Sequence, residues 1–272
     1  MDALVATFGP EHISPDPLEV VRRFSDARDV EVVGFLSAAL AFGSARGAVR
    51  SAEDLLSRLT RGGAKSPADA VRAWDAARDV ARLRDWQHRW LAAGDAAAVL
   101  HILGRVLQEH GSVEAFFAAG DVPRTPDIAP ALSSFCERAL ALAPPRSPPR
   151  VAYWFSGPAK GGTAKRLCLW LRWMCRKDQM DPGPWTCVDR ARLVVPLDVH
   201  VARIARYTGL LRRRTSDWRA AIEVTENLRR LDAADPVRYD YALCRLGILG
   251  TCPRKRARRQ CATCPLYDVC LL

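Results

Sequence analysis

The sequence predicts an all-α protein, on three observations. Apolar residues recur at helical spacing along almost the whole chain, alternating runs typical of strands are scarce, and capping residues stand before prolines suited to a first helical turn. In chain order, Val32, Phe35, Leu36, Ala39 and Leu40 follow the i, i+3, i+4 rule and define one amphipathic helix. Ser66 with Pro67 marks the start of another, the serine as cap and the proline as first helical residue. Leu167, Trp170, Leu171 and Met174 define a third; Leu197, Val201, Ile204 and Ala205 define a fourth. Asp235 with Pro236 opens a further one by the same cap-and-proline rule. Ten or more helices are expected in all. The proline-rich stretch at 143–149 and the polar run at 176–184 interrupt them, the first as either a domain boundary or a loop within one domain. No repeat of fixed period occurs, which disfavours a solenoid.

Composition narrows the function classes. The chain has 272 residues, 49% of them apolar, enough for one or two domains with a sizeable core. A disordered tail protein or a small disulfide scaffold is excluded. No stretch approaches the ~20 consecutive apolar residues of a membrane span, and the first residues lack a basic region followed by an apolar run and cleavage site. A cytoplasmic location is therefore expected, and nine cysteines there point to metal binding or core packing rather than disulfides. The net charge of +11 is unevenly spread: residues 1–136 carry 15 basic and 18 acidic side chains, residues 137–272 carry 26 and 12. A GC-rich genome explains why only five of the basic residues are lysine. It does not explain the asymmetry, which points to a polyanionic partner.

The strongest single motif is Cys252-x8-Cys261-x2-Cys264-x5-Cys270, four thiols within 19 residues. An iron-sulfur cluster and a structural zinc both accept four cysteines, and spacing alone does not choose between them. Arg254, Lys255, Arg256, Arg258 and Arg259 fill the first gap. Five cations there read either as a solvated basic loop or as a phosphate-binding one, and the neighbouring thiols favour the second. The remaining cysteines, Cys136, Cys168, Cys175, Cys187 and Cys244, fall within or beside helical patterns and read as core residues.

Asp198 follows Pro196 and precedes an amphipathic run, the position of an N-cap at the positive end of a helix dipole. Lys165 lies 33 residues earlier, directly after the glycine-rich stretch containing Gly157, Gly161 and Gly162. Those glycines read either as a turn between helices with no further role or as one whose backbone N–H groups can approach a phosphate ahead of a helix N-terminus. Lys160 is the reserve candidate for a lysine role.

The cysteine tail resembles the iron-sulfur loop of the endonuclease III class of helix-hairpin-helix DNA glycosylases, which has a shorter first gap followed by the same two and five. The Pro196-x-Asp198-x-His200 stretch is similar to the segment holding that superfamily's catalytic aspartate, and the Lys165-to-Asp198 spacing is similar to that in the archaeal 8-oxoguanine glycosylases. The segments near Asp16 and around Phe35 to Val49 look like the early barrel helices of this superfamily, and Trp86 to Leu91 and Asp235 to Gly247 are similar to an uncharacterised bacterial branch of it.

The resemblance implies two helical lobes flanking a DNA cleft. A helical barrel with the hairpin would span 30–205; 1–29 and 206–272 would form the second lobe. It implies a [4Fe-4S] cluster, with zinc the lesser alternative, on Cys252, Cys261, Cys264 and Cys270. The activity implied is excision of a damaged base, with oxidised purine suggested by the spacing, and AP lyase chemistry through a Lys165 Schiff base assisted by Asp198. DNA contacts would come from Gly157, Gly161, Gly162 and the basic loop, in a monomeric, nucleoid-associated protein. The competing expectation is a non-catalytic DNA-binding iron-sulfur protein on the same scaffold. RNA is disfavoured because no aromatic-rich strand signature appears.

Overall fold

The computed structural model describes residues 1–61 and 63–272, and they are mostly helical. The centre is α3 (Ala27–Ala39), following the short α1 (Asp2–Thr7) and α2 (Leu18–Val21). Every residue from Asp29 to Ala39 is buried, the mark of a helix enclosed on all sides. α4 (Ala45–Thr60), α5 (Pro67–Arg72) and α8 (Val113–Ala118) pack on it, and α7 (Ala93–His110) packs on α5 and α8 and in turn carries α6 (Ala76–Asp79) and α9 (Ala129–Ala141). Ser66 caps α5 as expected, its hydroxyl accepting from the Asp69 N–H at 3.2 Å. Between α6 and α7 lies a β-hairpin of two residues per strand, β1 (Gln87–His88) and β2 (Leu91–Ala92).

Enclosure puts Glu31 inside the core, and its carboxylate is satisfied there. It accepts from the Val113 and Glu114 N–H groups at 3.0 and 2.9 Å and from Trp185 Nε1 at 2.7 Å, so it also neutralises the positive end of α8. Burial pushes this carboxyl up, against the pull of the two N–H groups and the indole. Packed beside it, Phe35, Phe117, Phe135, Phe155, Trp170 and Trp185 meet with ring centroids 5.0–6.2 Å apart, edge-on or tilted.

The second half adds α10 (Val151–Trp154), α11 (Lys165–Cys175), α12 (Val199–Tyr207), α13 (Trp218–Arg229), α14 (Asp240–Ile248) and α15 (Arg258–Ala262). α11 packs on α3, α12 on α14, and α1 reaches across to α14. Buried ion pairs tie these parts. Arg172 of α11 holds Asp181 through two nitrogens at 2.9 and 3.1 Å, and Asp240 of α14 at 2.6 Å. Arg176 pairs with Asp181 and with Asp235, the latter at 3.0 Å. Arg245 of α14 binds Asp16 at 2.9 Å and the Ile13 carbonyl at 2.8 Å.

Two expectations are corrected. Asp235 makes no side-chain cap, because its carboxylate is drawn to Arg176; Pro236 starts a 3-10 turn and the α-helix begins at Asp240. Leu197 belongs to a buried extended segment before α12 rather than to its apolar face. No helix among the described residues is long and apolar enough to cross a membrane.

Candidate active site and the cysteine loop

After α10 the chain turns through a 3-10 turn at Pro158–Lys160 and enters α11 at Lys165. Gly161 closes that turn at φ +79°, where only glycine sits without strain, and its N–H donates to the Pro158 carbonyl at 3.0 Å. Gly157 lines the same cavity as Lys165 and is buried: a Cβ there would meet Cys136 Sγ at 3.0 Å, and its N–H donates to the Phe155 carbonyl at 2.9 Å. It packs the hairpin onto α9. Gly162 is exposed at the edge of that cavity with open space around it. Ala164 then takes the left-handed conformation (φ +48°) with no side-chain cap, a strain of about 1 kcal/mol immediately before Lys165.

Lys165 and Asp198 both line this cavity, which measures about 820 Å³. Lys165 is half-buried and its Nζ donates to the Ala41 carbonyl at 3.1 Å. Asp198 is the N-cap of α12, as expected, with Oδ1 accepting from the His200 and Val201 N–H groups at 2.8 and 2.7 Å. Its other oxygen accepts from the Cys244 thiol at 3.5 Å. One oxygen of the carboxylate is thereby held by two backbone N–H groups and the other by the Cys244 thiol.

Among the polar groups lining the same cavity that sequence reasoning did not select as site residues are Asp16, Asp240, Tyr241 and Cys244. Asp240 and Cys244 stand one turn apart on α14, so a period-four pairing of a carboxyl with a thiol was the available signal. Burial pushes the Asp240 carboxyl up to about 6; Arg172 pulls it down and Asp198 adds to the rise. Burial also raises the Cys244 thiol well above its usual value, helped by Asp198 and opposed by Lys165. Asp16 is raised by burial against the pull of Arg245, Arg172 and Lys165. Asp240 Oδ1 and the Tyr241 hydroxyl are buried without a hydrogen-bond partner among the described residues. An amine and an acid thus share one cavity, the arrangement that nucleophilic attack with charge stabilisation needs.

The cysteine loop is fastened to the far end of α12. Arg203 Nη1 donates to the Cys252 and Pro253 carbonyls at 3.1 and 3.4 Å, the Tyr207 hydroxyl to the Arg254 carbonyl at 3.3 Å, and the Leu271 N–H to the Tyr207 carbonyl at 2.7 Å. Arg254, Lys255, Arg256 and Arg259 are exposed; the Arg258 side chain lies outside the described residues. Burial raises the Cys252 thiol, Arg203 opposes that, and Cys264 and Cys270 are close enough to add to the rise. Cys261 Sγ accepts from the Ala257 N–H at 3.4 Å. Among the described residues, no three His, Cys, Asp or Glu side chains converge closely enough to hold a metal ion. The four thiols on one short segment are of the donor type that thiolate-bound centres use.

Residues 16–249 match a protein family of unknown function, DUF2400. The chain belongs to that family. No curated protein and no solved structure matches it. The DUF2400 span contains every cavity residue named above, from Asp16 to Cys244, and ends before the four-cysteine loop. The family match therefore covers the cavity residues and not the four cysteines.

Proposed function

We propose that the protein is a DNA base-excision glycosylase of the helix-hairpin-helix type with AP lyase activity, acting on a damaged base and, on the spacing argument, an oxidised purine. The observation that carries this reading is the meeting of Lys165 with Asp198, 33 residues apart in sequence, in one cavity of about 820 Å³. That size lies within the range of pockets that enclose small organic groups, and it suits an extruded nucleoside. The cavity would open into a DNA cleft between two helical lobes, a barrel around the hairpin and a second lobe of N- and C-terminal residues.

The extruded nucleotide presents its sugar C1′ to Lys165. Nζ, in its neutral form, forms a bond to C1′ while the C1′–base bond breaks; its electron pair leaves with the base, which takes up a proton. Ring opening and loss of a proton from nitrogen give a Schiff base, and β-elimination then expels the 3′ phosphate. Asp198, with one oxygen held by two backbone N–H groups, sets its carboxylate against the positive charge that develops on the sugar. Gly162 and the exposed cations Arg254, Lys255, Arg256 and Arg259 would meet backbone phosphates. Cys252, Cys261, Cys264 and Cys270 would hold a [4Fe-4S] cluster, zinc being the lesser alternative, whose contribution is to cross-link the basic loop.

Borohydride trapping tests the proposal. Wild-type protein incubated with single-lesion or abasic duplexes is expected to give a covalent complex that Lys165→Ala does not form. Trapping by the variant at the wild-type level would remove Lys165 from the role, and DNA binding with no adduct or product on any lesion would leave a non-catalytic DNA-binding protein.

A further inference from the structure

Of the eight tryptophans, six are buried and Trp218 is half-buried; Trp90 is 47% exposed. It stands at the tip of the β1–β2 hairpin, where Gln87 pairs with Ala92 and His88 with Leu91, leaving Arg89 and Trp90 as a two-residue turn. The stem is firmly mounted. Buried His88 lies 2.9 Å from Ser51 Oγ of α4 through Nδ1 and 3.2 Å from the Phe42 carbonyl through Nε2, and Leu91 is fully buried. The tip is strained. Arg89 adopts φ +54° at a position where such turns favour glycine or asparagine. Gly43, itself at φ +83°, admits the Arg89 side chain so closely that a Cβ there would meet Cδ at 2.9 Å. A strained, well-anchored turn that exposes a large aromatic ring is not explained by packing.

The ring is also not isolated. Its centroid lies 4.9 Å from that of Phe42 and 5.6 Å from that of Tyr153, which are 5.3 Å from each other. The Arg166 guanidinium covers Tyr153 at 3.7 Å, and Arg89 lies 5.6 Å from Trp90. Phe42, Tyr153 and Arg166 line the cavity that holds Lys165, so an aromatic surface runs from the cavity wall out to the Trp90 tip. Beside it, Arg50 and Arg89 flank a hollow of about 210 Å³, placing two cations where a phosphate linked to a stacked base would lie.

We propose that Trp90, backed by Phe42 and Tyr153, is a stacking subsite for an unstacked nucleobase adjoining the nucleotide held in the cavity. Aromatic faces stack on any base, and the flanking arginines supply the phosphate attraction that selects nucleic acid over an apolar partner. The substrate class is then DNA with locally broken stacking, such as an abasic site, a mismatch or a single strand, in preference to intact duplex. The inference rests on the nucleic-acid part of the proposed function but not on base excision.

Binding of the full chain is measured by fluorescence anisotropy to three probes of one sequence: intact duplex, duplex with a non-hydrolysable tetrahydrofuran abasic analogue, and single strand. Trp90→Ala is expected to weaken the abasic duplex and the single strand about tenfold, leaving intact duplex and thermal unfolding unchanged. Trp90→Phe, which keeps an aromatic face, restores most of the loss. Equal affinities of Trp90→Ala and wild type on all three probes would overturn the subsite, as would an equal loss on all three. Wild type that binds none of the probes would overturn the nucleic-acid reading and the subsite with it, whereas binding without base excision would leave the subsite standing.

Discussion

Asp240→Asn tests the electrostatics of the cavity floor. The wild-type carboxyl is 3% exposed, its Oδ2 accepts from Arg172, and burial carries it from 3.8 to about 6 with a further push from Asp198. Arg172 opposes the shift, and Asp181, which shares Arg172 with it, adds to it. A rise of roughly two units is worth about 3 kcal/mol between the two protonation states. The folded state binds the proton more tightly than the unfolded chain, so the sign is unambiguous. The contribution is fully present below the unfolded value near 3.8, fades as pH rises, and is gone above about 6. Asparagine keeps the acceptor for Arg172 and cannot titrate. Urea unfolding of both proteins from about pH 4 to pH 7 should therefore show wild type losing up to about 3 kcal/mol relative to the variant. Asp16, Glu31 and Asp235 are also raised by burial, but they are common to both proteins and largely cancel in the difference. A difference that stays flat across that range would refute the assignment.

Asp198→Asn should leave stability within a few tenths of a kcal/mol, since asparagine caps helices as well as aspartate, while single-turnover excision falls about 100-fold or more; an unchanged rate would make Asp198 a cap and nothing else. Gly104→Ala should destabilise by about 1–3 kcal/mol on thermal or urea unfolding, because a Cβ there would stand 2.6 Å from the Val71 carbonyl oxygen where α7 meets α5, and an unshifted midpoint would contradict that contact. Cys264→Ser should lower bound iron and acid-labile sulfide in anaerobically purified protein; metal content equal to wild type would remove Cys264 from the ligand set.

The two residues found from sequence, Lys165 and Asp198, sit at helix starts, where rules a few residues long apply. Asp198 is a cap with its own run of apolar residues behind it, and Lys165 follows a glycine pair that breaks the preceding turn. Asp240 and Cys244 obey no such local rule. Their significance comes from α14 packing on α12, which brings Cys244 within 3.5 Å of the Asp198 carboxylate, a contact spanning 46 residues. Asp235 shows the opposite failure: its local cap signal is overridden by Arg176, 59 residues away in sequence. The β1–β2 hairpin was illegible for another reason. Two residues per strand are too few for alternation to register, and an Arg-Trp turn carries none of the glycine or asparagine that announces a tight hairpin.

The attachment of the cysteine loop to α12 implies a division of labour between binding and chemistry. Arg203 and Tyr207 lie five and nine residues beyond the Asp198 cap, about 7 and 13 Å along α12, so the loop is held away from that cap. Under the proposed function its cations would meet the DNA backbone away from the nucleotide in the cavity. Contacts there add affinity without touching the reacting sugar. The Asp198 carboxylate owes its orientation to the His200 and Val201 N–H groups, which belong to the first turn of α12 and not to the loop. Under the proposed function, releasing the loop should therefore raise the dissociation constant for DNA and flatten its salt dependence, while single-turnover excision at saturating enzyme should keep its rate. If that rate fell in step with affinity, the loop would have to act through α12 on the cavity itself, and the division between binding and chemistry would be wrong.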